Sequence, residues 1–175
     1  RMRVALAKSI NVSAQWTADK LGPEKIAAWA SSAGIESKLG ATPSIALGAY
    51  EVSPRELANA YTTFAAGGME EEPRLVTKIV GPDGSEVPLP ARGAERRAMT
   101  DEEAFVTIDL MRSVVDFGTA TAAQALHRSI AGKTGTSNEM KDAWFAGFSP
   151  EMTCVVWTGF DDGAQAWEEP VPWLL

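Results

Sequence analysis

The sequence predicts an α+β fold in which an antiparallel sheet packs against a helical part. Helical periodicity and helix-capping signals dominate the first 70 residues, whereas short apolar segments typical of strands dominate the chain after Gly118. These later segments follow one another without helical crossovers, which is typical of antiparallel strands. Because 45% of the 175 residues are hydrophobic, we expect a packed core and not a disordered chain.

The helices are predicted from their end signals. Residues 1–8 and 12–21 form two helices that Ser9-Ile10-Asn11 separates. A third helix over residues 24–33 follows Gly22-Pro23, a pair typical of one helix ending and the next beginning. A short apolar stretch that contains Gly48 comes next, over residues 44–50.

Two capping boxes predict the longer helices. Ser53 and Glu56 bracket the start of one helix, which ends at Gly67-Gly68. Thr100 and Glu103 bracket the start of another, which ends at Gly118. In each case the side chain of the first residue accepts from the backbone N–H three positions later. The acidic side chain at that later position accepts from the backbone N–H of the first residue.

The strands are predicted from alternation and turn residues. Residues 74–80 alternate polar and apolar, and after a turn at 82–84 residues 85–89 return as a hairpin partner. Residues 90–99 read as a surface loop. A small-residue segment follows at 119–125. Three further strands are then predicted over residues 128–136, 143–148 and 152–160.

Charge and composition narrow the possible partners. A net charge of −7 and a pI of about 4.8 argue against nucleic acid. The lone Cys154 cannot form an internal disulfide, and the lone His127 cannot form a metal cluster. We predict that Cys154 is a small buried hydrophobe and that His127 is a strand residue. No segment is apolar enough to span a membrane, and no signal peptide opens the chain. Because the first residues already read as helix, we expect the chain to be a piece of a longer protein.

Lys133-Thr134-Gly135-Thr136 is the sharpest chemical motif. Lys133 supplies a positive charge, Thr134 and Thr136 offer hydroxyls to a carboxylate, and Gly135 allows a ligand close to the backbone. The Thr136 N–H can point at a developing oxyanion, and a peptide laid along this strand would pair with it by strand addition. Taken alone, the tetrapeptide is also compatible with an ordinary turn.

Ser9-Ile10-Asn11 is a weaker signal. Such triplets arise often by chance, and Ser and Asn are also common helix N-caps. Its position far upstream of the Lys-Thr-Gly motif gives it weight, because Ser-x-x-Lys, Ser-Asp-Asn and Lys-Thr-Gly occur together in β-lactamases and penicillin-binding proteins.

With these motifs in order, the chain resembles the C-terminal part of the transpeptidase domain of class A (bifunctional) penicillin-binding proteins. The resemblance covers roughly residues 1–162 and rests on segments 5–12, 44–48, 52–58, 118–120, 132–138, 141–148 and 157–162. It implies a partial penicillin-binding/β-lactamase-like transpeptidase fold that needs no cofactor and no metal.

The resemblance also implies an activity, that of a serine D,D-transpeptidase acting on peptidoglycan stem peptides that end in D-Ala-D-Ala and acylated by β-lactams. It gives catalytic roles to three residues: Ser9 relays a proton to the leaving nitrogen, Lys133 tunes Ser9, and the Thr136 N–H is an oxyanion donor. It gives substrate contacts to Asn11, Thr134, Gly135, Thr136 and Ser137.

The sequence departs from the family's pattern in two respects. No serine has a lysine three positions on, so we expect the Ser-x-x-Lys nucleophile before Arg1 and an inactive chain when these residues are alone. The tail, residues 163–175, does not resemble the family's continuation. We divide the partial domain into four parts. Residues 1–70 are a helical part with the Ser-x-Asn motif, and residues 71–99 are a hairpin and loop. Residues 100–162 are a helix followed by strands with the Lys-Thr-Gly motif, and residues 163–175 are this divergent tail.

Two alternatives remain open: a β-lactamase, and a non-catalytic penicillin-sensing or scaffold domain of the same fold. Lys-Asp-Ala-Trp-Phe at 141–145 favours a synthetic enzyme over a β-lactamase. A partial domain leaves a sheet edge and apolar faces uncovered, so we expect it to associate with the missing N-terminal part, another copy or a partner. By resemblance, we expect the extracytoplasmic (periplasmic) face of the bacterial membrane, reached through an absent N-terminal anchor.

Overall fold

The computed structural model describes residues 1–137 and 141–165. Asn138, at the end of the third-motif segment, and most of the predicted divergent tail, from residue 166 onward, lie outside the described residues. In the described part the chain is a mixture of helices and antiparallel strands, which confirms the predicted α+β class.

Within the described residues, five α-helices begin and end within two residues of the predicted bounds. They are α1 (Met2–Ala7), α2 (Asn11–Leu21), α3 (Pro23–Ser32), α4 (Pro54–Ala65) and α5 (Asp101–Asp116). Both predicted capping boxes are formed, at Ser53 with Glu56 and at Thr100 with Glu103. Two short 3-10 helices, Pro43–Leu47 and Thr121–Leu126, were not predicted.

The strands in the described part of the chain form three antiparallel sheets. The main sheet has the order β5 (Ala131–Thr136), β6 (Asp142–Phe148) and β7 (Thr153–Gly159). Two small ladders accompany it, and they pair β1 (Met69–Glu70) with β4 (Arg96–Arg97) and β2 (Ile79–Val80) with β3 (Glu86–Val87). The three main strands and the hairpin β2–β3 were predicted, whereas the ladder β1–β4 was not.

The main sheet packs against α4 and α5. Phe148 on β6 and Ala131 on β5 are buried with Met111 of α5, and Phe64 of α4 stacks on Phe148 with ring centroids 6.5 Å apart. On the other side of β6, the Phe145 ring lies over two glycines: a Cβ would come within 2.9 Å of the ring at Gly132 and 2.6 Å at Gly147. The strand with the Lys-Thr-Gly motif is therefore held from both faces.

The predicted strand over 74–80 is wrong for most of its length. Only Ile79 and Val80 pair with a neighbour, and Leu75 is 93% exposed. Alternation alone favours a strand, but a strand also needs a partner for its backbone groups, and residues 74–78 have none in a sheet. Residues 90–99, predicted as loop, contribute β4 because Arg96 and Arg97 pair with the segment that follows α4.

The predictions for Cys154 and His127 are corrected. Cys154 is exposed and lies on the outer face of β7 beside Val156, which is 51% exposed. His127 is exposed and ends the second 3-10 helix in a left-handed conformation with φ 49°. The strand predicted from residue 128 therefore begins only at Ala131.

Within residues 1–137 and 141–165, no helix combines the length and the apolar character that crossing a bilayer requires.

Candidate active site

Ser9 lies where α1 ends, in a conformation that this helix end requires. The Ser9 N–H donates to the Leu6 carbonyl at 3.1 Å and the Ile10 N–H donates to the Ala5 carbonyl at 2.9 Å. These two bonds are the Schellman pattern, in which the residue just past the helix adopts the left-handed region. Ser9 has φ 52°, and the exposed side chain projects from the turn between α1 and α2.

Lys133 on β5 reaches this serine across the chain. Its Nζ donates to Ser9 Oγ at 2.8 Å and to the Thr134 carbonyl at 2.8 Å. The structure thus joins the two sequence motifs, which stand 124 residues apart. Neither motif predicts this contact by itself, because it depends on how α1 packs beside β5.

The environment of Lys133 favours proton exchange. Burial lowers the pKa of its ammonium group below the usual lysine value, since desolvation disfavours the charged form. A charged lysine can only donate, so Ser9 Oγ accepts from it and the hydroxyl hydrogen of Ser9 remains available for another acceptor. The pair can therefore deliver a proton to a group placed above Ser9 and replace that proton from Lys133.

The outer edge of β5 presents backbone groups to a ligand. The Ser137 N–H donates to the Asp142 carbonyl of β6 at 3.1 Å. Backbone groups alternate sides along an antiparallel strand, so Thr134 and Thr136 direct their N–H and C=O groups away from β6. An extended peptide can pair with these groups, and the Thr136 N–H is aimed outward as an oxyanion donor must be.

The structure also places three further residues that the sequence predicted for the site. Asn11 is exposed and is the first residue of α2. Gly135 lies opposite Trp144, and a Cβ there would be 3.3 Å from the Trp144 Cβ, so its glycine serves packing as well as ligand access. The Ser137 hydroxyl accepts from the Asp142 N–H at 2.8 Å and closes the base of the β5–β6 connection.

Thr119 is a site neighbour that the motifs did not single out. Its N–H donates to the Ala7 carbonyl at 3.1 Å, and its hydroxyl lies 2.5 Å from the Thr134 hydroxyl. It therefore touches both the end of the helix before Ser9 and the Lys-Thr-Gly strand. The available signal was Gly118-Thr119-Ala120, one of the segments that carry the family resemblance.

Arg3 fixes α1 onto α5. Its guanidinium donates to the Asp109 carbonyl and to Ser113 Oγ, both at 2.8 Å, and it pairs with the Asp109 carboxylate. A side chain with several fixed donors can hold two helices in one orientation. The end of α1 that bears Ser9 is thereby kept at a constant position relative to β5, because α5 also packs on β5.

In the part of the chain that the structure describes, no three His, Cys, Asp or Glu side chains lie close enough together to hold a metal ion. The group that bonds to Ser9 is the Lys133 ammonium, and this charge, with the hydroxyls of Thr134 and Thr136 on the same strand, suits an organic anion.

The fold and the site together define the class of protein. An antiparallel sheet with a Lys-Thr-Gly-Thr strand, whose lysine bonds to the serine of a Ser-x-Asn turn, is the arrangement of the penicillin-recognising serine enzymes.

The comparisons with known proteins define the family. The model of the penicillin-binding protein transpeptidase domain matches residues 1–168, and the chain belongs to this family. Penicillin-binding protein 1A of Aquifex aeolicus is 40% identical over 160 residues, which are 91% of this chain and 22% of that protein. The chain thus spans about a fifth of the length of this curated relative.

Solved structures agree with the sequence relatives. Penicillin-binding protein 1A from Haemophilus influenzae superimposes with a TM-score of 0.86 at 27% identity, over 93% of this chain and 30% of that one. The PonA1 protein from Mycobacterium tuberculosis in complex with penicillin V has a TM-score of 0.64 at 26% identity, over 81% of this chain and 41% of that one.

Proposed function

We propose that the protein containing this chain is a D,D-transpeptidase that cross-links peptidoglycan. The substrates are stem peptides that end in D-Ala-D-Ala, and β-lactams acylate the same site. Family membership supports this proposal, and the observation that carries it is the 2.8 Å contact from Lys133 Nζ to Ser9 Oγ beside the outward-facing edge of β5. The complex of the relative PonA1 with penicillin V supports the β-lactam part.

The reaction is an acyl transfer in two steps. A serine oxygen attacks the penultimate D-Ala carbonyl, an ester forms, and the terminal D-Ala leaves with a proton on its nitrogen. The amine of a second stem peptide then displaces the serine oxygen and forms the cross-link. Covalent catalysis by serine needs a base, a donor for the leaving nitrogen and donors for the oxyanion.

The chain supplies two of these functions, the donor for the leaving nitrogen and a donor for the oxyanion, and it also binds the terminal carboxylate. Ser9 donates a proton to the leaving nitrogen and Lys133 restores the proton, which their hydrogen-bond geometry supports. The Thr136 N–H is one of the oxyanion donors. Hydroxyls of Thr134 and Thr136, with the charge of Lys133, hold the terminal carboxylate.

The remaining contacts complete the substrate site. Asn11 binds the substrate amide, Gly135 lets the peptide approach the strand, and Ser137 lies at the strand end next to the bound carboxylate. We propose that the Ser-x-x-Lys nucleophile comes from a segment outside these residues, because no serine in the sequence has a lysine three positions on.

Partners and location follow from the same proposal. We propose that a further segment of the domain, outside these residues, covers the exposed apolar surface, including Val12, which is 80% exposed, and Trp16, which is 61% exposed. We place the protein at the extracytoplasmic face of the bacterial membrane, held there by an anchor outside this chain.

Labelling with a fluorescent penicillin tests the proposal. We expect a stable covalent label on the full-length protein and none on the 175-residue chain, because the chain lacks the nucleophile motif. Stable labelling of the chain alone would show that its nucleophile lies within these residues.

Two other outcomes would replace the proposed function. Rapid release of the label by the full-length protein would identify a β-lactamase. A full-length protein that is folded and never labelled would identify a non-catalytic scaffold or sensor.

A further inference from the structure

Thr119 lies between two parts of the site and touches both. Its N–H bonds to the Ala7 carbonyl, and its hydroxyl is 2.5 Å from that of Thr134. The approach is close because residue 118 is a glycine: a Cβ there would lie 2.3 Å from the Ala7 carbonyl oxygen and 2.6 Å from that of Val114. The fit leaves the Thr119 hydroxyl facing the Lys-Thr-Gly strand.

Binding of an anion fixes which of the two hydroxyls donates and which accepts in the hydrogen bond between Thr119 and Thr134. Each hydroxyl carries one hydrogen and can accept bonds on its oxygen. An ionised carboxylate only accepts, so a Thr134 hydroxyl that donates to it must accept from Thr119. The reverse order would aim the Thr134 lone pairs at the anion, which is repulsive.

We propose that Thr119 is a positioning residue for the substrate carboxylate. Its hydroxyl donates to Thr134 Oγ1 and so turns the Thr134 hydrogen toward the terminal carboxylate of the peptide or β-lactam. Hydrogen bonds in such a chain polarise one another, which strengthens the bond to the anion. This inference rests on the proposed function, because it concerns the carboxylate subsite of that same site.

The first test compares acylation of the full-length protein by benzylpenicillin with acylation by its methyl ester, which lacks the anion. We expect Thr119→Val to lower the second-order acylation rate constant for the acid by about tenfold. The lost hydrogen bond is the one to Thr134, whose hydroxyl donates to the charged carboxylate. The ester should react within about twofold of its rate with the unchanged protein. Thr119→Ser, which keeps the hydroxyl, should restore the rate with the acid.

The second test is a double-mutant cycle, which does not depend on the ester. If Thr119 acts through Thr134, the variant Thr119→Val with Thr134→Val should be no slower than Thr134→Val alone. Thr119→Ala serves in the same cycle if the valine variant does not fold. Thr107→Val is the matched control, because the Thr107 hydroxyl donates to a carbonyl within α5 and is away from the site.

The outcomes separate this inference from the proposed function. Equal losses for acid and ester, or losses that multiply in the double variant, would overturn the positioning role. An unchanged rate in Thr119→Val would overturn it as well. If the unchanged full-length protein is not acylated by penicillin at all, the proposed function itself fails.

Discussion

Ser9 combines the proton-donor role proposed for it with an unfavourable backbone conformation. A side chain in the left-handed region costs about 1–2 kcal/mol, which is why glycine usually occupies the position after a helix. Ser9 occupies it with φ 52° and bonds to Lys133. Such outliers concentrate at functional sites, because the surrounding structure supplies the energy that holds them.

Replacing Ser9 by glycine should therefore separate stability from activity. We expect Ser9→Gly to raise the stability of the domain by about 0.5–1 kcal/mol, because relief of the left-handed strain exceeds the entropy cost of glycine. Penicillin acylation should fall by at least about a hundredfold, because the substitution removes the hydroxyl that we propose as the proton donor. Thermal unfolding and acylation rates of the full-length protein measure the two effects.

The control is Ser9→Ala, which removes the hydroxyl but keeps the strained backbone. It should lose activity like the glycine variant without becoming more stable. A glycine variant that is no more stable than the alanine variant would contradict the argument from strain.

At this scale the motifs could name residues but not conformations. Ser9 and Lys133 were predicted from residue type and order alone. The left-handed turn at Ser9 was not, since a Ser-x-Asn triplet fits a helix start equally well. Thr119 was passed over because a lone threonine has no chemical signature until its neighbour across the fold is known.

Among the elements, α4 illustrates how a capping box can hold more than a helix. The Glu56 carboxylate accepts from the N–H and hydroxyl of Ser53, from the N–H and hydroxyl of Ser37, and from the N–H of Glu36. The Ser53 N–H contributes most to lowering the pKa of Glu56 to about 2, the Ser53 hydroxyl and Ser37 act with it, and burial opposes them. This carboxylate joins the start of α4 to the loop after α3.

Glu56→Gln should destabilise the domain in a pH-dependent way. We expect a loss of about 1–3 kcal/mol near neutral pH, because an amide cannot accept all of these bonds. The pKa is lowered from 4.5 to about 2 on folding, so the carboxylate stabilises the fold fully above the unfolded value and loses this effect as pH falls toward 2. The difference between the two proteins should shrink below about pH 4.5.

Thermal unfolding of the full-length protein between about pH 7 and pH 3 measures this stability difference. The unfolding transition of this domain is the one that a bound β-lactam shifts. Glu102→Gln is the matched control, since Glu102 lies exposed in the first turn of α5. Its smaller effect should not follow the same pH course. A constant gap for Glu56→Gln over the whole range would argue against the carboxylate network.

Local signals predicted the elements well where the signals are complete within a few residues. Both capping boxes and the ends of α4 and α5 were predicted, because a cap needs only its own first turn. The strand expected at 74–78 failed because its alternation had no partner. The ladder between Glu70 and Arg96 joins residues far apart in sequence, and no local pattern predicts such pairing.

For the whole molecule, the sheet shows what the chain leaves uncovered. Within the described residues, β5 and β7 each pair on one side only. The outer face of β7 exposes Cys154 and Val156, and Phe160 beyond it is 55% exposed. The expectation that a further segment or another copy covers this surface came from the family resemblance and stays a prediction, whereas composition alone suggests an ordinary compact domain.

The uncovered sheet predicts that the 175-residue chain self-associates when it is isolated. Apolar surface next to an unpaired edge favours pairing with another copy. We expect light scattering at micromolar concentrations to give a mass above 18.7 kDa, in reducing buffer so that Cys154 forms no disulfide between copies. Val156→Lys should lower that mass, because it places a charge on the exposed face of β7.

Leu75→Lys is the matched control for this experiment. It makes the same change from an apolar side chain to a charge, at a residue that is 93% exposed in the loop before β2. If association follows from the sheet, this variant should associate as the unchanged chain does. Equal effects of both substitutions would attribute association to general apolar exposure, and a chain that stays monomeric would show that its uncovered face tolerates water.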